Sequence, residues 1–314
     1  MSDAALLDRP HGIAPAAPER VAGSRAETAS AWLLSAPAIA AFTAVILLPT
    51  LAAVALAFTD YELGAGSINW IGFDNFRELF SDRGFGQSVR NTLLYVAIVT
   101  PASLFGGLLL ALLIEGGARG RAFFRAVFFL PVVSLTVAMA SAWQYLLHPT
   151  IGPLNAALRS LGIEGPAWLS SSDTVLLSLA AINTWENLGF NMVLFLAGLT
   201  AIPRELYAAA GVDGVGSAWE RFRLVTWPLL GPTTLFVLTV TMIRALSHSF
   251  DLAAVLTQGG PNKASEVLLF TLYQEGFTYF RLGYAAAITL VFLVAVVTVM
   301  TLQTRFLDKR VHYV

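Results

Sequence analysis

Long runs of apolar residues cover most of the chain, and shorter polar stretches separate them. A helix of about 20 apolar residues crosses the hydrocarbon core of a membrane. Six runs reach this length, at 32–58, 92–114, 126–147, 174–200, 233–256 and 283–302. The pattern therefore predicts an all-α integral membrane protein with six transmembrane helices.

The composition supports the same class of protein. Of 314 residues, 56% are hydrophobic and only 12% are charged, too little polar surface to cover a soluble domain of this size. Residues 1–30 are rich in Ala, Pro and charged residues, which predicts a disordered cytoplasmic tail. We expect a six-span membrane domain at 31–310 and a short cytoplasmic C-terminal segment at 311–314. The first apolar run contains Pro37 and Pro49 and is too long for a signal peptide, so we expect it to be retained.

Basic residues are distributed unequally between the two sides of the predicted membrane domain. An even number of spans places both termini on one side, and the cytoplasmic side of a membrane protein carries more Lys and Arg. The side with the termini holds twelve: Arg9, Arg20, Arg25, Arg119, Arg121, Arg125, Arg204, Arg221, Arg223, Arg305, Lys309 and Arg310. The other side holds six: Arg77, Arg83, Arg90, Arg159, Lys263 and Arg281. We expect cytoplasmic termini.

The connections on the opposite side, at 59–91, 148–173 and 257–282, are long enough to hold short structure. Leu154, Leu158 and Leu161 share a helical face after Gly152-Pro153, and Gly162 follows as a stop signal. These residues predict a short amphipathic helix.

The connection at 203–232 is the longest polar interruption on the side of the termini. Glu205 lies in the predicted first turn of a helix, where the helix dipole favours an acidic side chain. Gly214 and Gly216 interrupt this helix, and the string SAWERFRLV predicts a second one. The small residues at 208–210 allow close approach of a partner. An amphipathic hairpin at the membrane interface, with no partner, is the alternative.

This segment resembles the Glu-Ala-Ala loop of membrane subunits of bacterial ATP-binding-cassette importers, a pattern of EAA, then DG, then IxLP. The matching residues are Ala209, Ala210, Asp213, Gly214 and Pro228. Ala208 stands where the pattern has Glu, and Trp227 stands where it has Leu. The carboxylate expected to contact the ATPase is therefore missing from its position, and Glu205 lies elsewhere on the helix.

Further strings resemble carbohydrate importers of the maltose and glycerol-phosphate type, among them IGFDNFREL, RNTLLY, RGRAFFRAVFFLPVV and SFDLAAVLTQGGPNKASEVL. The resemblance implies a bacterial plasma-membrane permease paired with a second permease, two cytoplasmic ATPases and an extracytoplasmic solute-binding protein. It implies a carbohydrate-like solute, lipid surroundings and no nucleic acid. The chain lacks the GxxxxGK[ST] phosphate loop, so we expect no cofactor in it; ATP and Mg would be bound by the ATPases.

Ionisable residues within membrane spans are costly and are therefore candidates for function. In the fifth span, Arg244, Ser247 or His248, and Asp251 fall on one helical face. In the fourth span, Asn183, Asn187 and Asn191 recur every four residues, with Trp185 nearby. The predicted substrate pathway comprises Glu186, Asn187, Phe190, Asn191, Arg244, Ser247, His248 and Asp251.

A structural interpretation of these polar residues is also open. Asn and Ser side chains commonly bond between membrane helices, and Glu186 with Arg244 could form a buried ion pair that fixes helix packing. Asp251 could lie in solvent at the outer end of its span.

Other classes of membrane protein fit less well. A secondary transporter would explain the spans, but the chain shows no inverted repeat. A non-catalytic scaffold subunit remains an alternative. The sequence has no cysteine and four histidines, without metal-ligand spacing or a catalytic motif, so we expect neither an enzyme nor a metal site. The favoured mechanism is alternating access, in which an ATPase moves the 203–232 segment and the adjoining spans.

Overall fold

A computed structural model describes residues 25–117 and 120–308. This part of the chain is helical, and its single β pairing is an isolated bridge between Thr59 and Trp70. Residues 1–24 of the predicted tail and the end at 311–314 lie outside the described residues. A helix begins at Arg25, within the segment 1–30 that the sequence analysis expects to be a tail.

The described residues form fourteen α-helices: α1 Arg25–Phe42, α2 Leu48–Leu56, α3 Asp74–Ser81, α4 Arg83–Gly116, α5 Arg121–Phe129, α6 Thr136–Leu146, α7 Pro153–Ser160, α8 Val175–Thr200, α9 Arg204–Val212, α10 Ala218–Arg221, α11 Trp227–Leu229, α12 Gly231–Leu252, α13 Leu268–Tyr273 and α14 Leu282–Asp308. Four π-helical turns, Thr43–Leu47, Phe222–Thr226, Ala253–Thr257 and Gln274–Thr278, and one 3₁₀ turn, Leu130–Val133, adjoin them.

The chain divides into two compact units, 1–52 and 53–314. In the first unit, α1 contains Pro37 and is followed by the π-turn Thr43–Leu47. A proline within a helix removes a backbone donor, and π-turns are recognised sites of helix distortion. The π-turn lies between Pro37 and Pro49.

Among the described residues, four helical stretches are long and apolar enough to cross a membrane, namely Ala29–Leu56, Arg83–Gly116, Gly231–Thr257 and Leu282–Arg305. Two bent pairs of helices, Arg121–Val133 with Thr136–Leu146 and Val175–Thr200 with Arg204–Val212, raise the number to six if each counts as one span. The six apolar runs predicted from the sequence coincide with these six stretches.

The third predicted span is not one continuous helix. Its two parts meet at an angle of 101°. Pro131 lies in the 3₁₀ turn, and Ser134 and Leu135 have extended backbone conformations. A proline cannot donate the hydrogen bond that continues an α-helix, and the apolar composition of the run conceals this break.

The core of the second unit lies where α4, α8 and α12 pack together. Tyr95 and Val99 of α4 contribute to one buried apolar cluster with Ile182 of α8 and Ala245 of α12. Glycines allow the helices to approach closely: a Cβ atom on Gly107 would meet Asn191 and one on Gly189 would meet the Phe128 backbone. Small residues at such contacts are typical of membrane helix packing.

The three predicted connections on the opposite side contain α3, α7 and α13, as expected. The amphipathic helix α7 ends at Ser160, and Gly162 has a φ of +76°. The Asn91 side chain of α4 donates to the carbonyl oxygens of Lys263 and Glu266 at 3.0 and 2.9 Å. These bonds hold the connection after α12 against α4.

Candidate functional site

A cluster of polar side chains lies within the packed spans α8 and α12. The four members on α8 are almost completely buried: Asn183, Asn187 and Asn191 have no exposed surface, and Glu186 is 5% exposed. The three asparagines recur every four residues and Glu186 lies three residues after Asn183, which places all four along one side of α8. α12 packs against this helix and supplies the facing groups.

Three side-chain hydrogen bonds join the helices directly, and the first two involve asparagines of α8. The Thr241 hydroxyl donates to Asn191 Oδ1 at 2.9 Å, and Arg244 Nε donates to Asn187 Oδ1 at 2.8 Å. The Asn187 amide nitrogen in turn donates to Asn183 Oδ1 at 2.6 Å. The predicted residues Asn187, Asn191 and Arg244 are thus brought together in one network.

Glu186 is directed at a different partner from the one expected. Its Oε2 atom lies 3.4 Å from His248 Nδ1, and no ion pair joins Glu186 to Arg244 within the described part of the chain. The alternative in which these two residues form a buried salt bridge is therefore wrong. The direction of each side chain, which the spacing along α8 and α12 does not specify, decides the pairing.

The other predicted pathway residues lie beside this network. The guanidinium carbon of Arg244 is 4.5 Å from the centroid of the Phe190 ring, a cation–π distance. Ser247 is exposed, and Asp251 is half-buried one residue before the end of α12. Neither side chain has a hydrogen-bond partner among the described residues. Asp251 therefore does not join the network, and it lies within the stretch Gly231–Thr257 rather than in solvent at its outer end.

Several buried polar atoms within the described residues have no hydrogen-bond partner. They include the Tyr95 hydroxyl of α4 and the amide nitrogens of Asn183 and Asn191. An unpaired buried polar group costs about 1–3 kcal/mol. The sequence analysis missed Tyr95, and it missed Thr241 although that residue lies three positions before Arg244 and hence on the same helical face. The cluster retains hydrogen-bonding capacity that the described residues do not satisfy.

The second candidate region, 203–232, begins with α9, which bends by 66° from α8. Glu205, Ala208, Ala209, Asp213 and Gly214 are all exposed, and Ala210 is half-buried. Glu205 lies in the first turn of α9, as predicted. Val212 is 89% exposed, so α9 presents a mixed surface of small, apolar and charged groups. The region contains two helical stretches, as predicted from the sequence: α9, and the continuous run of α10, the π-turn Phe222–Thr226 and α11.

The two halves of this region are fixed to each other and to the core. The Tyr207 hydroxyl lies 3.1 Å from Thr226 Oγ1, and Tyr207 and Phe222 pack against the buried cluster around Leu230. Ser217 and Glu220 form a capping box at the start of α10. Hydrogen bonds from the backbone amides of Ser217 and Gly216 lower the pKa of the exposed Glu220 carboxyl. α9 is therefore held on a structured base.

The turn between the two helices depends on one glycine. Gly214 has a φ of +87°, a backbone conformation that residues other than glycine rarely adopt. Gly216 does not have a positive φ. Of the two glycines predicted to form the bend, only Gly214 is required there by its backbone angle. Pro228 lies in α11 and is exposed.

The polar cluster and α9 are connected through α8. This helix carries the buried asparagines and Glu186, and α9 follows it in the chain after the 66° bend. The cluster can bind by hydrogen bonds, charge and an aromatic face. The described residues contain no group of three His, Cys, Asp or Glu side chains able to hold a metal ion. The fold and this site define a helical membrane protein with a buried polar cluster between two of its spans.

Comparison with known proteins identifies the family. The family described as "Binding-protein-dependent transport system inner membrane component" matches residues 103–313. The chain belongs to this family and is a non-catalytic permease component of an ATP-binding-cassette importer in the inner membrane. The resemblance noted in the sequence is thereby confirmed.

Two relatives show how far the similarity extends. The chain is 34% identical over 247 residues to the sn-glycerol-3-phosphate transport system permease protein UgpA of Agrobacterium fabrum, covering 79% of this chain and 84% of the relative. It is 33% identical over 279 residues to the probable ABC transporter permease protein YurN of Bacillus subtilis, covering 88% and 94%. Both matches take in most of the membrane domain.

A solved structure has the same fold. A chain from a bacterial ABC transporter involved in the import of the acidic polysaccharide alginate superimposes with a TM-score of 0.79 at 24% identity, covering 90% of this chain and 98% of that chain. The all-helical fold predicted from the apolar runs agrees with this match.

Proposed function

We propose that this chain forms half of a heterodimeric permease that carries a carbohydrate or carbohydrate-like solute by alternating access. The other components are a second permease, two ATPases that bind ATP and Mg, and an extracytoplasmic solute-binding protein. This chain binds no cofactor itself. The observation that carries the proposal is that α8 bears the buried polar cluster and continues, after a 66° bend, into the exposed α9.

The polar cluster is suited to a hydroxyl-rich solute. Amide side chains at Asn187 and Asn191 and the ring of Phe190 supply hydrogen bonds and an aromatic surface, and Ser247, His248 and Asp251 continue the polar face of α12. In the conformation described, Asn191 is bonded to Thr241. Solute contact therefore requires these interhelical bonds to exchange as α8 and α12 move relative to each other. The glycerol-phosphate relative indicates a small polyol or sugar derivative.

The coupling surface is the exposed face of α9 with the turn that follows. Glu205, Ala209, Asp213 and Gly214 lie on it, and the small side chains allow an ATPase to approach the backbone. Ala208 provides no carboxylate, so docking relies on shape and on the apolar Val212 more than on a central charge. The excess of Lys and Arg on the side of the termini supports a cytoplasmic location for this surface and for both termini.

The absence of cysteine from the whole chain permits a direct test of this arrangement. Ala208→Cys and the matched control Ser160→Cys each introduce one exposed thiol, on α9 and α7 respectively. A membrane-impermeant maleimide should label Ala208→Cys only in inside-out vesicles and Ser160→Cys only in right-side-out vesicles. Labelling of both residues from the same side would contradict the proposed topology.

The same variants test the partners. The chain is purified from its native membrane, its stoichiometric partners are identified, and a short thiol-to-amine cross-linker is added. Recovery of a second permease and an ATPase cross-linked through Ala208→Cys, but not through Ser160→Cys, supports the proposal. Uptake of solute that persists without any ATPase would instead favour a secondary transporter.

A further inference from the structure

Arg244 carries a positive charge within α12 that no acidic side chain of the described residues neutralises by direct contact. Its Nε atom donates to Asn187 Oδ1 at 2.8 Å, and its guanidinium carbon lies over the Phe190 ring at 4.5 Å. These two contacts fix the plane of the guanidinium. The terminal nitrogens Nη1 and Nη2 have no hydrogen-bond or ion-pair partner in the described part of the chain.

The two acidic residues on α8 and α12, Glu186 and Asp251, do not form an ion pair with Arg244. Glu186 is 5% exposed and its carboxylate is directed at His248 Nδ1, 3.4 Å away. Asp251 lies seven residues along α12, a helical rise of about 10 Å. Glu186 is therefore held by the imidazole, and Asp251 is two turns away. Both leave the outer edge of the Arg244 guanidinium available.

An arginine in a membrane span costs several kcal/mol to insert, and its retention indicates a function. The planar pair of Nη groups matches the two oxygens of a carboxylate or a phosphate, which it binds bidentately. Arg244 is half-buried rather than fully enclosed, so a group from outside the chain can reach it. Ser247 and His248, three and four residues further along α12, lie on the same face and can bond to neighbouring hydroxyls.

We propose that the transported solute is anionic, and that its carboxylate or phosphate binds the Nη1 and Nη2 atoms of Arg244 beside the Phe190 ring. This inference rests on the proposed function, and it narrows the solute from carbohydrates in general to sugar acids or phosphorylated sugars and polyols. Arg244 then selects for charge, while the amide groups of α8 contact the uncharged part of the solute.

The test uses the complete complex, with its binding protein, in proteoliposomes loaded with ATP. Uptake is measured for sn-glycerol 3-phosphate, digalacturonate and the neutral disaccharide maltose. The variants are Arg244→Gln, Arg244→Lys, which keeps the charge but not the planar fork, and the control Arg90→Gln, which removes an exposed arginine from α4.

The expected result is that the wild-type complex moves an anionic probe, and that Arg244→Gln raises its half-saturating concentration at least about tenfold, as for loss of a charge-assisted bond. Arg244→Lys should show a smaller rise, and Arg90→Gln none. Preferential uptake of sn-glycerol 3-phosphate would indicate a phosphorylated solute, and preferential uptake of digalacturonate would indicate a sugar acid.

Two results would overturn the inference: wild-type uptake of maltose but of neither anionic probe, or loss of the second permease from the Arg244→Gln or Arg244→Lys complex. The second result would show that Arg244 pairs with an acidic residue of the other permease. If the wild-type complex moves none of the probes in an ATP-dependent manner, the proposed function itself fails. That outcome is separate from loss of charge selectivity.

Discussion

The Thr241 hydroxyl and the Asn191 side-chain oxygen lie 2.9 Å apart, and neither residue has any exposed surface. Asn191 has no other side-chain partner among the described residues, since its amide nitrogen is unpaired. The bond from Thr241 is therefore the one side-chain hydrogen bond that Asn191 makes among the described residues. It links α12 to α8.

Thr241→Val should destabilise the protein, because it removes the donor at almost constant volume and leaves Asn191 without a partner. The expected cost is about 1–3 kcal/mol. Asn191→Leu combined with Thr241→Val should recover much of the loss, since neither polar group then remains. Melting temperatures of the purified chain measure both effects, with the exposed Thr301→Val as the control. Equal losses for the single and double variants would show that the bond is unimportant.

Gly189→Ala should disrupt the contact between α5 and α8. A Cβ atom at this position would overlap the backbone oxygen of Phe128, and backbone cannot rotate away as a side chain can. Overpacking of this kind costs about 1–3 kcal/mol. Gly86→Ala, on the exposed first turn of α4, has nothing within 4 Å of the new Cβ and should not lower the melting temperature. Unchanged stability of Gly189→Ala would mean that the two helices separate readily.

Gly214→Ala should reduce ATP-dependent uptake while the complex still assembles. The new Cβ meets no atom, but the φ of +87° is strained for alanine, by about 1 kcal/mol. The strain should shift the turn that supports the exposed face of α9. Gly216→Ala, which has equal space and no positive φ, is the matched control. If Gly214→Ala prevents assembly, the residue is structural and the uptake defect says nothing about coupling.

Glu275 should make the stability depend on pH. Its carboxyl lies in the π-turn before α14, where burial raises the pKa despite the nearby Arg281, with Glu78 and Asp82 adding to the rise and Lys263 opposing it. A pKa raised in the folded state gives stability that is present below the unfolded value and is lost as pH rises through the folded value. The melting temperature of Glu275→Gln relative to wild type should therefore increase from pH 4 towards neutral pH.

The reverse trend, or a difference that does not vary with pH, would contradict this assignment.

The hydropathy pattern predicted the positions of the spans but not their continuity. The break at Pro131 lies within an apolar run, and hydropathy averages do not register the missing backbone donor or the extended Ser134 and Leu135. The start of α1 at Arg25 was missed because the residues before the first apolar run are polar, and hydropathy does not register a polar segment that is helical. Strong local signals were predicted well: the stop at Gly162 and the acidic first turn at Glu205.

The members of the polar cluster could be identified from helical spacing, but their pairing could not. Arg244 and Glu186 both lie on the facing surfaces of α12 and α8, and opposite charge alone favours joining them. In the fold, Asn187 meets Arg244 Nε and His248 meets Glu186. These choices follow from the register and rotation of two helices fixed by close glycine contacts, which no pattern within one helix specifies.

The length of α8 has a mechanical consequence. Its 26 residues contain no proline and span about 39 Å of helical rise, so the helix can act as a lever in the proposed alternating-access mechanism. For rotation about its Val175 end, Asn183 lies about 12 Å from the pivot and α9 more than three times as far. A displacement of α9 by about 6 Å would then move Asn183 by about 2 Å, and the force at Asn183 would be correspondingly larger. That shift is enough to break and exchange hydrogen bonds without pulling the bundle apart.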